Sequence, residues 1–202
     1  MSKEVRNYTV QTIDEFSADE QQKILDKYRD INVEYINLVE FDDYFVLGLR
    51  DRGFNVDDSD IDYDLSCCQG SGASFRCDDL DYNKLLADLD VPHKKFWIDY
   101  LKYYNMRIKD DKYCRYCHEY SKVIDTDDDC RAEWWICEKD HPHANKDYEL
   151  IKAHIEQKRL DACHWLYKAL DREYTWQQSD EAVRETIEAN EYMFDTRTLE
   201  IA

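Results

Sequence analysis

Proline and glycine are nearly missing, with two prolines and four glycines in 202 residues. So little of either leaves no room for a flexible linker or a low-complexity tail. There is no internal repeat, and the length suits one domain over residues 1–202 with a real core. Long apolar runs are missing too. None approaches the ~20 residues that span a bilayer, and residues 1–10 are polar, without the apolar stretch of a secretory leader. The expectation is a cytoplasmic protein. Several catalytic signatures are also absent. The glycine-rich turn lacks the lysine of a phosphate-binding loop, and there is no Gly-x-Ser-x-Gly elbow and no His-Glu-x-x-His. Positive charge is short: 27 Lys and Arg stand against 46 Asp and Glu, a net charge of −19. Such a field repels nucleic acid and acidic membranes and draws in basic protein surfaces.

What is present builds an α+β pattern. Thr9 to Ile13 alternates like a short strand that begins at Tyr8. Ser17 with Glu20 reads as a capping box opening a helix whose one face carries Ile24, Leu25 and Tyr28. A second helix is expected over residues 33–52, ending at Gly53, which suits the left-handed position past a helix end. Ile61, Tyr63, Leu65 and Cys67 alternate with Asp62, Asp64, Ser66 and Cys68 as a half-buried strand. Residues 69–74 read as a turn before Phe75 resumes extended chain. Residues 78–89 read as helix, and another helix follows Pro92. Strands return over residues 106–137, with Tyr116, His118, Tyr120 and Val123 near period two. A long helix is expected at 147–172, with Leu150, Ile151, His154, Ile155, Cys163, Leu166 and Leu170 on one face. A last helix opens at Ser179-Asp180-Glu181. Strands set between helical blocks, without regular βα alternation, predict an antiparallel sheet packed against several helices, with long helices at the C-terminal end.

Three constellations carry chemistry. Cys67-Cys68-Gln69-Gly70-Ser71-Gly72-Ala73-Ser74-Phe75 holds two of the four glycines. Exposed N–H groups in such a turn can hold an anion, or the glycines can serve a tight turn between strands. Gln69, Gly70, Ser71, Gly72 and Ser74, with His118, are therefore a candidate ligand site. Cys114 and Cys117, with Cys130, Cys137, His141 and His143 downstream, offer zinc donors or buried thiols, since a reducing cytosol disfavours disulfides. On a strand Cys114 and Cys117 would point to opposite faces, which favours buried thiols. His118-Glu119 could act as an acid–base pair, but adjacent strand residues also face opposite ways. No cofactor is implied.

The third constellation is acid. Residues 40–64 hold nine acids and two bases, residues 125–140 seven and two, and residues 177–202 seven and two. Asp57, Asp58, Asp60, Asp62 and Asp64 would space charge along an extended edge as a phosphate backbone does. Asp127, Asp128 and Asp129 form a second cluster. Against this, residues 94–122 hold eight bases and four acids among tyrosines, a mixture that can stack on single strands or simply wet one face of a core.

Tyr8-Thr9-Val10 with Phe16-Ser17-Ala18, the Cys68–Phe75 turn, Arg115-Tyr116-Cys117-His118-Glu119-Tyr120 and the helix from Ser179 to Tyr192 occur in this order. Together they resemble a family of small phage and prophage proteins often labelled antitoxins of a toxin–antitoxin stability system. The likeness runs over residues 8–194. The family's turn reads Gln-Gly-Asp-Gly-Ala, with Ser71 in the aspartate's place here; its Tyr-x-His-Glu pattern falls on Tyr116, His118 and Glu119. The cysteine-rich stretch 130–143 is not a feature of that family. The resemblance implies a phage or mobile-element origin and a bacterial host cytoplasm. Joined to the charge, it gives the leading expectation: a non-catalytic inhibitor that binds a basic nucleic-acid-binding surface of a host defence complex through Asp57, Asp58, Asp60, Asp62, Asp64 and Asp127–Asp129. The alternative is an antitoxin or small-ligand module using the glycine turn. An enzyme acting through His118 and Glu119 is the third reading.

Overall fold

In a computed structural model of the chain, the described residues are 9–33, 39, 43–66, 69–104, 106–114, 116–125 and 144–202. Tyr8, Cys67, Cys68, Arg115, the 127–129 aspartates, the 132–137 strand, Cys130, Cys137, His141 and His143 lie outside them. The chain falls into two compact units, residues 1–38 with 172–202 and residues 39–171.

In the first unit local capping decides the helices. α1 (Ala18–Lys27) opens at Ser17. The Glu20 carboxylate accepts from the Ser17 N–H at 3.1 Å and from its hydroxyl at 2.6 Å, which satisfies a donor the helix leaves open. β1 (Val10–Gln11) pairs antiparallel with β8 (Phe194–Asp195). α6 (Asp180–Ala189) is capped by the Ser179 hydroxyl, which accepts from the Ala182 N–H. Between them Ile13, Phe16, Ile24, Leu25, Val183, Ile187 and Phe194 form one buried cluster. The Phe194 ring meets Phe16 edge-on at 6.5 Å and Tyr28 at 5.7 Å.

The second unit carries the mixed architecture that the pattern predicts. α2 (Tyr44–Asp51) covers the end of the expected 33–52 helix; residues 33 and 43 lie in turns, residue 39 is helical, and residues 34–38 and 40–42 lie outside the described residues. It closes at Gly53, whose φ of +97° only glycine adopts without strain. β2 (Phe54–Asn55) pairs antiparallel with β5 (Asp79–Leu80), and β3 (Ile61–Asp64) pairs with β4 (Gly72–Phe75). The expected helix at 78–89 is thus corrected. Its first residues are drawn into the ladder with β2, and only α3 (Tyr82–Leu85) forms, capped by Asp81, which accepts from the N–H groups of Asn83 and Lys84. The glycine turn is shorter than expected as well, since β4 starts at Gly72.

α4 (Lys94–Tyr104) follows Pro92, and β6 (Arg107–Asp110) pairs with β7 (Lys122–Asp125). A bridge from Cys77 to Ile108 ties the end of β4 to β6. Tyr116, His118 and Tyr120 are not on a strand: residues 119–121 make one turn of 3₁₀ helix. α5 (Ala144–Gln177) is longer than the expected 147–172, and its last residues belong to the first unit. It buries Ile151, Ile155, Cys163, Leu166 and Leu170, while Leu150 faces solvent. Among the described residues no helix is long and apolar enough to cross a membrane.

Candidate functional site

β3 and β4 bring two sequence motifs face to face. The strand Gly72-Ala73-Ser74-Phe75 is buried throughout, and the Ser74 hydroxyl meets the Ser121 hydroxyl at 2.9 Å inside the protein. That contact seats the 119–121 turn on β4. The glycines make room for the segment before it. A Cβ added at Gly70 would lie 2.4 Å from the Tyr116 ring, and one at Gly72 would lie 2.5 Å from the His118 Cα, distances no side chain tolerates. The Gln69–Ser74 turn and His118 are therefore neighbours. The space beside the two glycines is filled by Tyr116 and His118 themselves.

His118 caps the 3₁₀ turn, its Nδ1 accepting from the Tyr120 N–H at 3.2 Å. A backbone N–H can only donate, so the ring proton sits on Nε2, 3.9 Å from the Cys114 Sγ. Glu119 turns elsewhere. Its carboxylate lies 3.3 Å from His164 on α5, and its carbonyl accepts from Arg159 at 2.7 Å. His118 and Glu119 thus have separate partners. Cys114 and Cys117 are half-buried free thiols. Among the described residues no group of three His, Cys, Asp or Glu side chains is placed to hold a metal ion.

Sequence reasoning missed Arg159, which is 1% exposed. It continues the row Ile151, Ile155 on the inner face of α5, and its guanidinium pairs with Glu156 at 2.6 Å. An arginine at that step of an apolar row is the signal that was available. Lys122 was missed likewise. It is 4% exposed and donates to Asp62 at 2.5 Å and to Asp110. Burial alone would lower its pKa; the bonds it donates to Asp110 and Asp62 outweigh this and raise it.

The aspartates follow two geometries. Asp57 caps the 3₁₀ turn 58–60 and pairs with Arg50 at 2.7 Å. The Asp60 carboxylate accepts from the Asp57 N–H. Only Asp62 and Asp64 lie on the strand, opposite Ser74 and Gly72, so the first half of this segment is a capped turn and not an extended edge. Acid from other stretches joins it. Arg76 donates to the Ser59 carbonyl and lies 3.9 Å from Asp110, and Asp110 shares Lys122 with Asp62. Two thiols register the combined field. Burial, with the charges of Asp79, Asp60 and Asp78 added, pushes Cys77 up to about 12. Burial, then Asp62 and Asp64, raises Cys117. Asp62 and Asp110, far apart in sequence, thus share Lys122, and Asp110 also pairs with Arg76; Asp60, Asp78 and Asp79 act together on Cys77.

No curated protein and no solved structure matches the chain. A family model described as a domain of unknown function, DUF8835, matches residues 40–180. That stretch takes in β2 to β7, the glycine turn, the His118 segment and all of α5. Since the match covers well over half of the sequence, this chain belongs to the DUF8835 family.

Proposed function

We propose that this chain is a phage-encoded, non-catalytic acidic inhibitor. It acts in the cytoplasm of a bacterial host by offering carboxylates to a basic nucleic-acid-binding surface of a host defence complex, of the anti-CRISPR or anti-restriction type. The observation that carries the proposal is the junction of Asp62 on β3 and Asp110 on β6 at the buried Lys122, with Arg76 beside Asp110. Lys122 holds Asp62 and Asp110 together, Arg76 pairs with Asp110 and Arg50 with Asp57, so cations fix part of the acid in place. Asp58 is exposed. The net charge of −19 supplies long-range attraction. The likeness to phage proteins supports the origin. Asp127, Asp128 and Asp129 would extend the contact.

The test is displacement. Purified CRISPR and restriction effectors holding a labelled DNA duplex are titrated with the protein. Loss of DNA from an effector, weakening at least about tenfold as salt rises from ~0.05 to ~0.5 M, is the expected result. Retention of DNA by every effector would count against the proposal.

A second reading, an antitoxin or small-ligand module, draws on one observation: the Gln69–Ser74 turn and His118 are adjacent. In that case Gln69→Ala and His118→Ala abolish activity, while neutralising the aspartates leaves it intact.

A further inference from the structure

Between β6 and β7 the chain exposes three tyrosines within eight residues. Tyr113 is 94% exposed, Tyr116 55% and Tyr120 65%. Scattered exposed aromatics are ordinary, but a group on one short loop leaves a local aromatic surface in water. His118 joins it, its ring 5.5 Å from Tyr116 and 5.9 Å from Tyr120. The described residues of the loop are tied to their surroundings. Asp111 accepts from the Tyr113 N–H, the Asp111 N–H donates to the Ser121 carbonyl, and Gly70 and Gly72 pack against Tyr116 and His118. A rigid aromatic platform loses little entropy on binding.

The sign of the field on this platform selects its occupant. Asp62 and Asp64 stand opposite Ser74 and Gly72 on the neighbouring strand, and Gly72 packs on His118, which brings these carboxylates beside the loop; Lys122 is buried between two carboxylates. Among the described residues of this turn Lys112 is the exposed base, and Asp111 lies beside it. Aromatic faces in a negative field suit a cation that is flat enough to stack. That describes guanidinium better than ammonium, which is compact and strongly hydrated.

Resting on the acidic-inhibitor reading, we infer that Tyr116 and Tyr120, with Tyr113 at the rim, are the surface that stacks arginine side chains of the basic partner, beside the carboxylates of Asp62 and Asp64. Charge alone cannot tell arginine from lysine, whereas the tyrosine faces can. The platform therefore gives the acidic face a preference among basic surfaces.

The experiment compares labelled arginine and lysine homopeptides of equal length, binding to the full chain at low salt. The arginine peptide should bind roughly tenfold tighter, as one or two cation–π contacts allow. The Tyr116→Leu/Tyr120→Leu variant should lose that preference and keep its affinity for the lysine peptide, which also establishes that it is folded. The Tyr116→Phe/Tyr120→Phe variant should retain the preference. Equal binding of the two peptides to the wild type, or a preference that survives the leucine pair, overturns the tyrosine inference while the acidic reading stands. Binding of neither peptide overturns both. Uptake of single-stranded oligothymidine by the wild type, lost in the leucine pair, would make the platform a nucleic-acid surface and overturn the inference.

Discussion

Replacing Lys122 with methionine tests whether the acidic face is held together by a buried cation. The lysine is 4% exposed, with Asp62 and Asp110 on its ammonium and their side chains 40% and 59% exposed. Methionine fills much the same volume but leaves two carboxylates facing each other without a counter-charge. Removing one partner of a fully buried pair costs about 3–5 kcal/mol. Water reaches both carboxylates here, which cuts the expected loss to about 2 kcal/mol, or about 4–8 °C in Tm for a chain of this size.

The pH dependence has a definite sign. The hydrogen bond from Lys122 holds the Asp110 carboxyl below its usual range. Its stabilising contribution is therefore present above the unfolded value near ~4 and is lost as pH falls through the lower folded value. The Lys122 pKa is raised, so its contribution is full below the unfolded value near ~10.5 and fades only as pH rises past the higher folded value. Acid thus weakens the wild-type pair and relieves carboxylate repulsion in the variant. In urea unfolding the gap between the two proteins should be widest near neutrality and shrink as pH falls toward ~3.5. Equal stability at pH 7, or a gap that widens on acidification, refutes the reasoning.

Gly72→Ala forces a methyl group to 2.5 Å from the His118 Cα; urea unfolding should find a loss of about 2–3 kcal/mol, and a neutral outcome would mean the 116–118 segment is not packed on β4. Iodoacetamide on the native protein should label Cys114 well before Cys77 and Cys163, both buried and pushed to about 12 chiefly by that burial; peptide mapping that finds Cys163 labelled first contradicts the packing of α5. Arg159→Leu removes the donor to the Glu119 carbonyl, so amide exchange in the 119–121 turn should quicken by at least about tenfold, while that of α1 and α6 stays unchanged.

The elements legible in the sequence are those that local chemistry decides. Ser17 with Glu20 opens α1, Ser179 opens α6 and Gly53 closes α2, because a cap is made by neighbours in the chain. The inner face of α5 was legible from its apolar spacing, apart from Leu150. Residues 78–89 misled because Asp79 and Leu80 answer to Phe54 and Asn55, a pairing far away in sequence that outweighs helical spacing. His118 misled because alternation around it looks like a strand, whereas its Nδ1 caps a tight turn and Ser74 pins that turn from another strand. The nearness of the glycine turn to His118 was legible as a motif pair. The steric reason, two glycines yielding to Tyr116 and His118, needs the fold. The burial of Lys122 and Arg159 was not legible, because it depends on partners from β3, β6 and the 119–121 turn.

The most direct measurement is DNA displacement from a responsive CRISPR or restriction effector by the wild type and by a variant carrying Asp57→Asn, Asp58→Asn, Asp60→Asn and Asp64→Asn. Asparagine keeps the capping geometry of these positions, and Asp62 stays in place to hold Lys122. The wild type should release the DNA in a salt-sensitive manner, and the variant, equally folded, should need at least about tenfold more protein. Equal potency of the two proteins would contradict inhibition through the acidic face.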